Sequence, residues 1–250
     1  MKPVLRWIGL VLLAGVALQL FFLLRIATAA VVDPASTTFQ RSEAYRIATE
    51  KDKLRWRQEW LPYAQISDHL KRAVIASEDG SFAQHEGVDW DAVEKAWERN
   101  AKAEQEAARR SARAPAKAAA TGKPAPAPKV VGGSTITQQL AKNLLLSGER
   151  TLLRKGQEIV LTFALEQMLS KERILEIYLN SVEWGEGVFG AEAASQHYYR
   201  KPAERLSPYE AARLAVMLPS PKLFEQRPNS GYLSGRASTI SARMREARLP

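Results

Sequence analysis

Three stretches of this 250-residue chain combine residue types that do chemistry with neighbours able to set their state. The first is Glu78-Asp79-Gly80-Ser81-Phe82-Ala83-Gln84-His85-Glu86-Gly87-Val88-Asp89. A helical apolar face made by Ile66, Leu70 and Val74 runs into it, with Ser67 as N-cap, and that helix ends near residues 76–78. A carboxylate at a helix C-terminus meets the negative end of the macrodipole. Its pKa is thereby pushed up, toward the range of a general base. By itself this pattern also describes an ordinary solvated helix end.

The second stretch is Gly132-Gly133-Ser134-Thr135-Ile136-Thr137-Gln138-Gln139-Leu140-Ala141-Lys142-Asn143. Two glycines allow a tight turn into a helix capped by Ser134, whose first amides can hold an anion. The Gly-Lys-Ser/Thr ending of a nucleotide-binding loop is missing. Gln139, Lys142 and Asn143 stand at i, i+3 and i+4 and share one polar face, which is also the pattern of a merely wet helix side. The third stretch is Arg150, then Arg154-Lys155-Gly156-Gln157-Glu158. Glu158 opens a run that is apolar nearly all round (Ile159, Val160, Leu161, Phe163, Leu165, Met168, Leu169), which predicts a buried central helix. A carboxylate entering such a helix needs a cationic partner or a function.

Other chemistries fare worse. The chain has no cysteine, so disulfides and thiolate zinc sites are excluded. His69, His85 and His197 are widely spaced and no His-Glu-x-x-His occurs, so no metal site is assigned. There is no Gly-x-Ser-x-Gly elbow. A net charge of +9 favours an anionic partner, whether nucleic acid, lipid headgroup or pyrophosphate. For nucleic acid, nothing beyond charge speaks.

The elements that must carry these residues are mostly helical. From Trp7 to Leu24 runs an apolar stretch broken only by Gln19, bounded by Lys2 and Arg6 before and Arg25 after. At about 18 residues it is near the lower limit of a membrane span. Ala27-Thr28-Ala29 would suit a signal-peptidase site, but the apolar run is long for a signal core, so residues 1–30 read as a cytoplasmic N-terminus and uncleaved anchor. Residues 31–60 form a polar, membrane-proximal stalk ending in Leu54-Arg55-Trp56-Arg57-Gln58-Glu59-Trp60. That ending suits either a membrane interface or aromatic docking on the core. Residues 61–250 form the main domain. Asp89 or Asp91 caps a helix carrying Trp90, Val93 and Trp97. Beyond it, residues 99–130 are Ala, charge and Pro, with eight Lys or Arg against two Glu between Arg99 and Lys129. Nothing there can bury a face, so the segment reads as a flexible basic insertion. Ser170 starts a helix through Ile174, Leu175, Ile177 and Tyr178. Ser207-Pro208-Tyr209-Glu210 is a capping box with Pro at the first helical position, opening a helix that ends at Leu218-Pro219. No strand-like alternation and no internal repeat is found.

Taken in order, the three stretches resemble the motifs of the peptidoglycan glycosyltransferases, lysozyme-like enzymes that polymerise lipid II. The first is similar to that family's Glu-Asp-x-x-Phe-x-x-His-x-Gly-x-Asp, the second to Gly-Gly-Ser-Thr-Ile-Thr-Gln-Gln, the third to Arg-Lys-x-x-Glu. A fourth likeness covers Lys171 to Asn180 with Gly185 and Gly187 to Ala194. A fifth covers Glu210 to Pro221. The resemblance spans residues 60–235, and no transpeptidase domain follows, so the chain looks like the monofunctional biosynthetic form. It departs at Gln157, where some relatives carry Lys, and in the longer segment between Trp97 and Gly132.

The resemblance implies a mostly α, lysozyme-like glycosyltransferase domain behind a single transmembrane helix, in the bacterial inner membrane with the catalytic domain on the periplasmic side. It implies Glu78 as the base acting on the acceptor 4-hydroxyl, and Glu158 as a second catalytic carboxylate. Lys142, Arg150, Arg154 and Lys155 would face the pyrophosphate. Gln138 and Gln139 would hold sugars or line the cleft, and Asp79, Phe82, His85, Ser134, Thr135 and Asn143 complete the expected substrate-binding set. No covalent cofactor is implied; a divalent cation (Mg or Mn) would ride on the pyrophosphate. The expected partners are lipid II, the growing glycan strand, membrane lipids and cell-wall synthesis or division proteins, without nucleic acid. Two other classes compete: a lysozyme-like enzyme that cleaves the same glycan, and a non-catalytic scaffold of the cell-wall machinery.

Overall fold

The computed structural model describes residues 2–51, 54–113, 133–149 and 151–250. They fall into two compact units, Met1–Val88 with Thr135–Pro250, and Asp89–Ser134.

The larger unit begins with α1 (Lys2–Val31). Among the described residues this is the one helix long and apolar enough to cross a membrane, with a mean hydropathy of 2.4, and it fits a single-pass anchor. Its first half is exposed all round. From Gln19 on, a stripe at helical spacing (Gln19, Phe22, Ile26 and Ala29) is partly or wholly covered, by packing against the helix Leu152–Met168 and the core. A capping box of Thr37 and Gln40 then starts α2 (Thr38–Glu50).

Helix α3 (Asp68–Glu78) is capped by Ser67, whose Oγ accepts from the His69 amide at 3.2 Å. Its buried face, Leu70, Ala73 and Val74, packs on α9 (Pro208–Met217) and α11 (Gly231–Arg243). Helix α5 (Ile136–Leu145) lies against α2, α6 (Leu152–Met168) and α7 (Lys171–Ser181). Helices α8 (Ala191–Tyr199) and α10 (Pro221–Gln226) complete the unit. Ile66, Leu70, Val74, Ile136, Leu140, Leu161, Leu165, Leu175 and Tyr178 belong to one continuous core.

A small sheet, absent from the sequence expectation, joins β1 (Arg57–Gln58), β2 (Glu183–Gly185) and β3 (Val188–Phe189) in the order β1-β3-β2. β1 runs parallel to β3 and β2 antiparallel to it. Strands of two or three residues are too short to show alternation. The sheet is held by contacts distant in sequence: Asn180 accepts from the Leu61 amide at 2.8 Å and donates to the Leu61 carbonyl at 2.9 Å. Gly187, at φ +71°, lies so close to Arg55 O that a Cβ would stand 2.0 Å from it. The tryptophan-bearing stretch therefore docks on the protein: Trp60 donates to Glu176 at 3.3 Å and Trp56 lies 4.7 Å from the Phe189 ring.

Two helix starts differ from expectation. Thr135, not the exposed Ser134, caps α5, in a reciprocal box with Gln138. Helix α6 starts at Leu152 under a Thr151 cap, so Glu158 sits in its second turn. Nor is α6 buried all round. Glu158, Leu161, Thr162 and Leu165 form its covered stripe, while Val160, Phe163 and Met168 are exposed.

The smaller unit contains α4 (Trp90–Arg113), capped by Asp89, whose Oδ1 accepts from the Ala92 amide at 2.7 Å. It runs well past Asn100, because Ala, Glu, Gln, Lys and Arg are all strong helix formers up to the prolines that start at Pro115. The rest of the expected flexible insertion, and Gly132, lie outside the described residues.

Candidate active site

Glu78 is the last residue of α3 and half-buried. Its Oε2 accepts from Gln139 Nε2 at 3.1 Å and its Oε1 from Ser77 Oγ at 3.4 Å. Burial pushes its pKa up, the Asp79 charge adds to this, and the bonds from Gln139 and Ser77 and the nearby Arg236 guanidinium work against it. The result is a carboxylate oriented by donors on both oxygens and more basic than an exposed glutamate.

Gln139 is itself oriented. The buried Tyr178 hydroxyl donates to Gln139 Oε1 at 3.0 Å, which leaves the amide nitrogen to face Glu78. Burial, with the Glu78 and Asp79 charges, holds the Tyr178 pKa well above its usual value, so the phenol stays a donor.

The loop after Glu78 is fixed by bonds to α5. Asp79 Oδ2 accepts from the Ile136 amide at 3.0 Å, a carboxylate at a helix N-terminus, and Oδ1 contacts His85 Nε2 at 2.8 Å. His85 Nδ1 accepts from the Gly87 amide at 3.1 Å, so the ring proton lies on Nε2 and points to Asp79. Thr135 Oγ1 donates to Gly87 O at 2.5 Å. Phe82 is fully buried, with Lys171 Nζ 4.6 Å from its ring centroid. That ammonium also donates to His85 O at 2.6 Å and to Glu166 at 2.9 Å. Asp79, Phe82, Thr135 and Gln138, expected to touch substrate, are thus buried and bonded within the protein, because they close the loop onto α5.

Glu158 is 3% exposed and carries two cations. Arg154 Nη1 donates to Oε2 at 2.8 Å and Lys155 Nζ to Oε1 at 2.5 Å. Glu158, Thr162 and Glu166 follow one another at i, i+4 and i+8 on one face of α6. A Cβ on Gly87 would stand 2.7 Å from Thr162 Cγ2 and 2.9 Å from Glu166 Cγ, and Gly87 has φ +85°. The loop behind Glu78 therefore lies against the face of α6 that bears Glu158. Lys142 is exposed and Asn143 half-buried on α5, where Gln139 also sits. Arg150 lies outside the described residues.

Residues 45–112 and 111–245 match the profile of a family described as Transglycosylase. The chain belongs to this transglycosylase family. It is 49% identical over 253 residues to a biosynthetic peptidoglycan transglycosylase of Burkholderia thailandensis, covering 100% of this chain and 90% of the relative. It is 47% identical over 251 residues to the protein of the same description from Janthinobacterium sp. (strain Marseille), covering 100% and 99%. Four residues of this transglycosylase site were missing from the sequence expectation. Tyr178 and Lys171 stood in the fourth motif but carried no role there. Arg236 gave no local signal, since it acts on Glu78 from far along the chain, and Glu166 joins its near neighbour Lys171 to Thr137, 29 positions away.

Proposed function

We propose that the transglycosylase polymerises lipid II into glycan strands, with Glu78 as the base. The observation that carries this reading is a half-buried carboxylate of raised pKa at a helix end, oriented by Gln139 on one oxygen and by a longer bond from Ser77 on the other. Glu78 takes the proton from the 4-hydroxyl of the acceptor's N-acetylglucosamine. That oxygen bonds to the anomeric carbon of the donor's N-acetylmuramic acid as the bond to undecaprenyl pyrophosphate breaks. Attack opposite the leaving group turns an α linkage into a β one. Negative charge gathers on the pyrophosphate, where fixed cations stabilise it. Arg154 and Lys155, held by Glu158, fill that role together with Lys142 and Arg150. Asp79, His85, Phe82, Thr135 and Gln138 act as positioning residues that hold the Glu78 loop on α5.

A divalent cation fits this scheme as part of the donor's pyrophosphate. Glu158 is engaged by Arg154 and Lys155, so it is assigned to those cations and not to an ion. No step is assigned to a metal. Lys2 and Arg6, in the first turns of α1 ahead of its apolar run, support a cytoplasmic N-terminus, hence a catalytic domain on the periplasmic face of the inner membrane.

The test is incubation of the purified full chain with lipid II in detergent, with products sized on a gel. Polymer from the native chain and none from Glu78→Gln, at unchanged melting temperature, is the expected result. Muropeptide release from sacculi without polymer would replace the reading by a glycan-cleaving one.

A further inference from the structure

Gln19 is the one polar residue inside the apolar run of α1, and Gln157 directly precedes Glu158 on α6. Each side-chain amide donates to the other. Gln19 Nε2 reaches Gln157 Oε1 at 2.8 Å, and Gln157 Nε2 reaches Gln19 Oε1 at 2.9 Å. Reciprocal bonds demand one orientation of both amides. A slip of α1 by one residue, about 1.5 Å along its axis and about 100° around it, breaks both.

The rest of the contact continues this register. Phe22, Ile26 and Ala29 follow Gln19 along one stripe into the core. Arg173 closes the far end, with Nε donating to Ala29 O at 2.9 Å and Nη1 paired with Asp33 at 2.8 Å. The anchor is thus pinned by polar bonds at both ends of an apolar interface. Beside hydrocarbon, an amide that loses its partner finds no water to replace it, so the Gln–Gln pair resists breaking more than it would on a wet surface. The pin acts on the turn of α6 that holds Arg154, Lys155 and Glu158 together.

We propose that Gln19 and Gln157 are positioning residues for the Arg154–Glu158–Lys155 cluster, so that the anchor helix is a working part of the catalytic domain and not only a tether. The proposal rests on the lipid II reading, through the role given to that cluster.

A mutant cycle in the full detergent-solubilised chain tests it, with kcat and KM for lipid II and the melting temperature measured for each variant. Gln19→Leu and Gln157→Leu should each lower kcat about three- to tenfold, the double variant should be no worse than either, and KM should stay within about twofold. Gln19→Glu with Gln157→Lys, which rebuilds a bonded pair, should recover most of the loss. Native kcat in either single variant, additive losses, or no recovery in the rebuilt pair would overturn the proposal. Inactivity of the native chain would instead remove the lipid II reading. Coupled melting temperatures in the cycle would then still mark the pair as the pin between α1 and α6, and additive ones would remove that as well.

Discussion

Tyr178 and Gln139 form a relay in which a phenol at 3.0 Å decides which end of an amide faces Glu78. Without the hydroxyl, the Gln139 amide is free to turn its oxygen toward the carboxylate, which disfavours the charged form that the proposed base requires. Tyr178→Phe should therefore lower kcat/KM for lipid II by about three- to tenfold near neutral pH, the weight of one hydrogen bond between neutral groups. The acid limb of the pH profile, which rises as Glu78 loses its proton, should move to higher pH. The same limb in the native chain should already lie above the ordinary glutamate range, because burial raises Glu78. A loss of rate with an unmoved limb would mean that Tyr178 acts through packing alone.

Gly87 joins the Glu78 loop to α6 by lacking a side chain. At φ +85°, with Thr162 Cγ2 and Glu166 Cγ each under 3.0 Å from the place of a Cβ, alanine there meets both strain and overlap. Gly87→Ala should cost about 2–4 kcal/mol of stability. It should also reduce polymerisation beyond that loss, as the loop bearing Asp79 and His85 shifts off α5. Measuring turnover well below the melting temperature separates the two effects.

How much of this was readable in the sequence depends on the range of each interaction. The Ser67 cap, the Ser207–Glu210 box and the long apolar first helix are local patterns, and all three are found where they were expected. The Thr135–Gln138 box is as local, yet Ser134 next to it offers the same chemistry, and only the backbone geometry chooses between them. The Glu78–Gln139 bond spans 61 positions and the Lys171–His85 bond 86, so no spacing rule connects them. Tyr178 was hidden differently: it falls on a helical apolar face with Ile174 and Ile177, where periodicity reports its ring and says nothing of its hydroxyl. The exposed side of α6 differs from the expected all-round burial because hydrophobicity alone does not decide burial, and α6 covers only the stripe from Glu158 to Leu165.

The two cations on Glu158 differ in burial, and this predicts different penalties. Lys155 has a side chain 42% exposed, against 16% for Arg154 and 4% for Glu158. Lys155→Met should then cost less than about 1 kcal/mol in stability, as expected for an exposed pair. Glu158→Gln leaves Arg154 buried without its counter-charge and should cost about 2–4 kcal/mol. Both should impair polymerisation, with Lys155→Met acting on turnover at nearly native melting temperature. Thermal melting beside a lipid II assay checks each. Equal loss of stability in the two variants would contradict the assigned burial.

Away from the site, Glu183 on β2 makes the fold itself sensitive to pH. It is 6% exposed, and burial, reinforced by the Glu43 and Glu186 charges and opposed by Lys222 at 3.4 Å, pushes its pKa up to about 7. Lys222 is shared, since it also pairs with Glu43 and stands 4.0 Å from Glu186. In the unfolded chain the group titrates near the ordinary value of about 4.3. The native state thus holds the proton more tightly, and its contribution is complete below that value and lost as pH rises through about 7. Glu183→Gln keeps the shape and removes the charge. It should leave stability at pH 5 nearly unchanged and raise it at pH 8 by about 1–3 kcal/mol, with about 2–4 °C in melting temperature for each kcal/mol. Melting curves of both proteins at the two pH values decide the matter: an equal gain at both would show that the substitution acts through packing and that Glu183 does not titrate in this range.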